Sequence, residues 1–95
     1  MVFFWFAGRK KQLIIRGGSN ISPQEVENIL IGHPLIREVC VIGFSDKKFN
    51  QIVCACVRLN DKKQSLDLDN LRSFCKDRIS DYKIPEKLIT FLITL

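Results

Sequence analysis

A chain of 95 residues supports one domain, near the small end of what can bury a self-sufficient core. Its 46% apolar residues are enough to fold, yet no apolar run approaches the length of a membrane span. A net charge of +5 favours contact with anions, but the Lys and Arg residues are scattered, so a nucleotide-like ligand, a nucleic acid and a plain solvated basic surface all stay open.

Cys40, Cys54, Cys56 and Cys75 contain no C-x-x-C spacing and lie among apolar neighbours. They read as small buried hydrophobes in a reducing compartment, with Cys54 and Cys56 on one face of a strand, and not as metal ligands. The first residues lack the charged lead of a signal peptide and are too few for its core, so the expected location is cytoplasmic.

In chain order, residues 2–6 (Val2, Phe3, Phe4, Trp5, Phe6) form a dense aromatic strand, expected to pair with residues 12–16 across a turn at Ala7, Gly8, Arg9 and Lys10. Four consecutive aromatics exceed what one face of a two-stranded ribbon hides, because alternate side chains point to opposite sides. One face is therefore expected to meet another surface, or in free solution to drive self-association through residues 2–6. Leu13, Ile14 and Ile15 run into Gly17-Gly18, where the backbone can take positive φ and approach a ligand closely.

Ser22-Pro23-Gln24-Glu25 then reads as a capping box with proline in the first helical position. The helix is expected from Pro23 to about Ile31, with Val26, Ile29 and Leu30 as its apolar stripe and Gly32 as its end. His33, the sole histidine, has no nucleophile beside it and reads as a cap on the free carbonyls of that helix.

Residues 38–44 and 52–59 alternate as strands with both faces apolar or small, so their sheet is covered on both sides or central, and the polar link 45–51 makes them an antiparallel hairpin. A charged loop at 60–65 leads to a second helix with Asp67 as N-cap, Asp69 at its positive end, and Leu68, Leu71, Phe74, Cys75 and Ile79 facing inward. Residues 81–85 are expected to be extended before Pro85, and residues 87–94 form a last strand. The result is an α+β fold: a small, mostly antiparallel sheet with an N-terminal β-hairpin and two packed helices in two layers.

The residues alone give no catalytic constellation: no paired carboxylates, no nucleophile with a base, no metal spacing and no Walker-type loop. What remains is a glycine turn flanked by Arg9, Lys10, Lys11 and Arg16, suited to something anionic.

Four stretches carry a family resemblance: residues 8–28, His33-Pro34-Leu35-Ile36-Arg37-Glu38, Val41-Ile42-Gly43-Phe44-Ser45-Asp46 and Tyr82-Lys83-Ile84-Pro85. In order and spacing they resemble the C-terminal domain of the adenylate-forming enzymes, most closely the acyl-CoA synthetases of fatty acid metabolism. The resemblance implies an ATP- and Mg²⁺-dependent acid–thiol ligase that makes an acyl-adenylate and then a thioester of CoA. Its small domain rotates against a large N-terminal domain between the two steps. It implies a hinge at Lys11, a phosphate-proximal Arg9, and Gly17, Gly18, Phe49, Tyr82 and Lys83 near CoA or pantetheine.

It also implies that residues 1–7 lie at the interdomain junction, and that the whole 95-residue chain is a single lid domain without its large partner. Two departures stand out: Asn50 occupies a usual glycine position, and Glu86 a position that is often basic or polar. The family's lysine that contacts the carboxylate during adenylation has no counterpart before Leu95, so the isolated chain is expected to carry no catalytic residue and to be inactive alone. Two alternatives are a free-standing basic module binding anions or nucleic acid, and an adenylation-domain fragment serving a carrier protein. The preferred reading expects neither nucleic-acid binding nor a membrane span.

Overall fold

The computed structural model describes residues 13–61 and 63–91. In chain order they form β1 (Ile14–Arg16), β2 (Ser19–Ile21), α1 (Pro23–Leu30), β3 (Ile36–Asp46), β4 (Asn50–Leu59), α2 (Leu68–Lys76), a 3₁₀ turn (Asp81–Lys83) and β5 (Lys87–Phe91). The sheet order is β2-β1-β4-β3, and β5 also pairs with β4. Since β3 follows β4 along its whole length, β1 and β5 share the opposite edge. β1 meets it at Arg16↔Asn50, and β5 runs parallel from Cys54↔Lys87 to Arg58↔Phe91.

Both helices lie on one face of the sheet. Val26 and Leu30 of α1 and Leu71 and Cys75 of α2 pack on Ile14, Val41, Val53, Ala55 and Val57. On the other face Cys40, Cys54 and Cys56 form a second buried cluster with Ile42, Ile89 and Phe91 against it. The α+β class, the β3–β4 hairpin and its two apolar faces match the sequence reading. All four cysteines are buried and unbridged. Cys56 bonds to the Cys54 sulfur and lowers its pKa, against burial and helped by the Lys87 charge, whereas burial raises Cys75.

Several local expectations change. The strand expected at 2–6, and with it the pairing to 12–16, lies outside the described residues. The hairpin the structure shows joins β1 to β2 across Gly17 and Gly18. With φ +58 at Gly17 and no left-handed φ at Gly18, this two-residue loop has the φ pattern of a type II′ turn, whose twist suits paired strands.

Ser22 is the N-cap of α1 by backbone conformation, but its side chain makes no capping bond. Glu25, its expected reciprocal partner, is drawn to Lys83, whose Nζ lies 3.0 and 2.8 Å from the two carboxylate oxygens. The inward stripe of α1 is Pro23, Val26, Glu27 and Leu30, with Ile29 only part-buried. Glu27 Oε2 accepts the Val41 N–H at 2.8 Å, satisfying a donor on β3, the strand at the end of the sheet order.

The backbone N–H of His33 bonds Leu30 O at 2.9 Å, but its side chain caps no carbonyl. Its Nδ1 accepts the Leu35 N–H at 3.1 Å, which leaves the proton on Nε2 to donate to Asn70 Oδ1 at 3.0 Å, tying the end of α1 to α2. Phe74 of α2 backs the ring, with centroids 4.8 Å apart. Residues 81–83 form a 3₁₀ turn instead of an extended segment, with Lys83 N bonded to Ser80 O and Ile84 N to Asp81 O. Ile84, directly before Pro85, is extended, at φ −71 and ψ 133. The last strand is described to Phe91, and residues 92–94 lie outside.

Candidate functional site

The end of β1, the β3–β4 turn and the start of β5 converge on the glycine turn. Asp46 organises the turn from β3 to β4: its Oδ2 accepts the N–H groups of Lys48 and Phe49 at 3.0 and 2.8 Å. Asn50 then takes φ +74, the left-handed conformation that glycine reaches freely and that asparagine tolerates better than most residues. Asn50 thus adopts the left-handed φ that a glycine would supply at this position. The carbonyl of Phe49 is thereby aimed at the Gly17 N–H, which donates to it at 2.7 Å.

Gly17 is required by its φ of +58 alone, because an added Cβ would meet Phe49 Cδ1 at 3.8 Å, an ordinary van der Waals contact. Gly18 is free of both: it has no left-handed φ, and nothing lies within 4 Å of the space a Cβ would fill. Both glycines are exposed, so the turn presents bare backbone to solvent.

Around this backbone stand an aromatic ring and charges. The Arg16 guanidinium carbon lies 4.1 Å from the Phe49 ring centroid and the Lys48 ammonium 5.3 Å from it. Arg16 Nε also donates to Glu86 Oε1 at 2.6 Å. Gly17, Gly18 and Phe49 are therefore brought together as a group. Tyr82 and Lys83 sit apart on the 3₁₀ turn, with Tyr82 39% exposed and the Lys83 ammonium 5.7 Å from its ring. The hydrogen bond that Lys83 donates to Glu25 raises the Lys83 pKa, opposed by desolvation and reinforced by the charges of Glu25 and Tyr82.

Lys11 and Arg9 lie outside the described residues. Arg16 and Glu86 complete the group. Arg16 was visible in the sequence as a flanking cation, and Glu86 as an acidic residue in an unexpected place, but only the fold joins them across 70 positions.

The profile of the AMP-binding enzyme C-terminal domain matches residues 25–95. The chain belongs to the AMP-binding enzyme C-terminal domain family. The human medium-chain acyl-CoA ligase, mitochondrial by name, is 40% identical over 87 residues, which are 92% of this chain and 14% of that protein. The medium-chain fatty-acid–CoA ligase of Escherichia coli K12 is 43% identical over 83 residues, 86% of this chain and 15% of that one. This family domain thus spans about one-seventh of the curated relatives it matches.

Solved structures agree with the assignment. The o-succinylbenzoate CoA synthetase of Bacillus subtilis, in complex with its acyl-adenylate intermediate, superposes with a TM-score of 0.79 at 37% identity, covering 92% of this chain and 17% of that one. The fatty acyl CoA synthetase of Mycobacterium tuberculosis gives 0.77 at 34% identity, covering 88% and 16%. No helix among the described residues of this AMP-binding C-terminal domain is long and apolar enough to cross a membrane.

Proposed function

We propose that this AMP-binding C-terminal domain is the mobile part of an ATP-dependent acyl-CoA synthetase of fatty acid metabolism, and that the Gly17–Gly18 turn is the face it offers to the thiol during thioester formation. The observation that carries this reading is the free space over Gly18. The fold itself asks for no glycine there, so bare backbone serves an approaching ligand, and the narrow pantetheine arm of CoA fits that demand. Phe49 walls one side of the approach, and Arg16 and Lys48 supply charge for phosphates beyond the arm.

Lys11 is proposed as the pivot and Arg9 as a phosphate contact of the ATP-bound arrangement, with residues 1–7 at the junction to a large N-terminal domain. Tyr82 and Lys83 are proposed to flank the CoA nucleotide, Lys83 after release from Glu25. ATP is proposed to enter with its Mg²⁺. The proposed compartment is the cytoplasm. The human relative's mitochondrial name offers a second reducing setting that suits four unbridged thiols equally.

Grafting this chain into the Escherichia coli medium-chain ligase, in place of the stretch it matches, tests the reading. The chimaera is expected to form both adenylate and acyl-CoA. A folded chimaera that releases pyrophosphate but makes no thioester contradicts it.

A further inference from the structure

β1 joins β4 at its turn end: the two strands pair at Arg16↔Asn50, and the Gly17 N–H donates to Phe49 O at 2.7 Å. In an antiparallel ladder main-chain bonds fall on alternate pairs, so the next place for them after Gly17 and Phe49 is Ile15 opposite Gln51. There the Ile15 N–H donates to the side-chain oxygen Oε1 of Gln51, at 2.7 Å, in place of the main-chain carbonyl of the same residue. The seat of this side chain is built on β3. Gly43 has no left-handed φ, yet it leaves no room for a Cβ, which would lie 2.8 Å from Gln51 Nε2 and 2.9 Å from its Cδ. That glycine is explained by the amide lying over it, and a link runs from β3 through Gln51 to β1.

We infer that Gln51 is a positioning residue for thioester formation: its amide fixes β1, and β1 carries the Gly17–Gly18 turn. This rests on the reading of that turn given above. Of residues 13–16 Ile14 alone is buried, while Leu13 and Ile15 are exposed, so packing anchors the strand at one side chain. Loss of the Gln51 bond leaves β1 paired with β4 at the turn end, where Arg16 meets Asn50. A strand free to swing about that end carries the turn with it, and a shift of about 1 Å in a reacting geometry is enough to slow the step. Gln51 acts through β1 and not on the thiol itself.

The test measures amide exchange in the isotope-labelled full chain beside the two half-reactions of the ligase chimaera. Gln51→Leu is expected to speed exchange of the Ile15 amide by about ten-fold. It should slow acyl-CoA formation by about three- to ten-fold while pyrophosphate release keeps its rate. Gln51→Glu retains an acceptor oxygen and should restore both readings towards the parent. Gly43→Ala, which displaces the amide without altering Gln51, should reproduce the loss and add nothing in a Gln51→Leu background. A merely structural role would speed exchange of the core amides of β4 as well and slow both half-reactions together. That result overturns the proposal, as does unchanged acyl-CoA formation in Gln51→Leu. Gly18→Val in the same chimaera separates the two readings. If it slows thioester formation and Gln51→Leu does not, the role of Gln51 falls alone; if neither does, both fall.

Discussion

Gly17 and Gly18 stand side by side under different constraints. Gly17 needs its left-handed φ, so Gly17→Ala is expected to cost about 1–2 kcal/mol, read as a lower urea midpoint. Gly18→Ala meets neither strain nor contact and should stay within about 1 kcal/mol of the parent, on the stable side if it restricts the unfolded chain. A comparable loss at both positions would contradict the division. The two helix caps give a second contrast. Asp67 Oδ1 accepts the Asn70 N–H at 2.7 Å, so Asp67→Ala should cost about 1 kcal/mol, whereas Ser22→Ala should cost a few tenths at most, roughly. Asp67 was legible because its cap is completed three residues away. The Ser22–Glu25 box, equally plain as letters, failed because Lys83 claims Glu25 from 58 positions downstream.

Among the elements, strict alternation made β3 and β4 legible, and 3.6-residue periodicity did the same for α2. β2 escaped notice because Ser19-Asn20-Ile21 has no strand signature of its own; it is a strand because the Gly17–Gly18 turn folds it back on β1. Glu27 lay in view as the i+4 member of the stripe begun by Pro23, an acidic residue where an apolar one belongs. Its purpose could not be read without the Val41 N–H it meets.

The Lys83–Glu25 pair ties the 3₁₀ turn to α1, and its sign can be worked out. Glu25 raises the Lys83 pKa above its unfolded value, so the pair's contribution is complete below the ordinary lysine value and is lost as pH rises through the folded one. The urea-midpoint difference between the parent and Lys83→Gln should therefore hold steady from neutral pH to about pH 10 and then close at higher pH. A difference that widens in alkali would contradict this assignment.

At the scale of the whole molecule, the family was legible from four ordered motifs, while the site was only half legible. Gly17, Gly18 and Phe49 do come together, because Asp46 and the left-handed Asn50 aim the Phe49 carbonyl at the Gly17 N–H. The neutralised state of Arg16 and Lys83 depends on carboxylates brought in by the fold, which no local pattern announces. The proposed turning between two half-reactions would require a domain that keeps its own core while one face opens to a partner. Helices packed on one face of the sheet and a glycine turn exposed at the end of β1 meet that requirement.

The most direct measurement introduces Gly18→Val into the ligase chimaera and follows pyrophosphate release and acyl-CoA formation separately. With the approach to the backbone blocked, thioester formation should slow by at least about ten-fold while pyrophosphate release stays close to the parent rate. Unchanged thioester formation, in a variant that folds normally, would contradict the glycine turn as the thiol-facing surface.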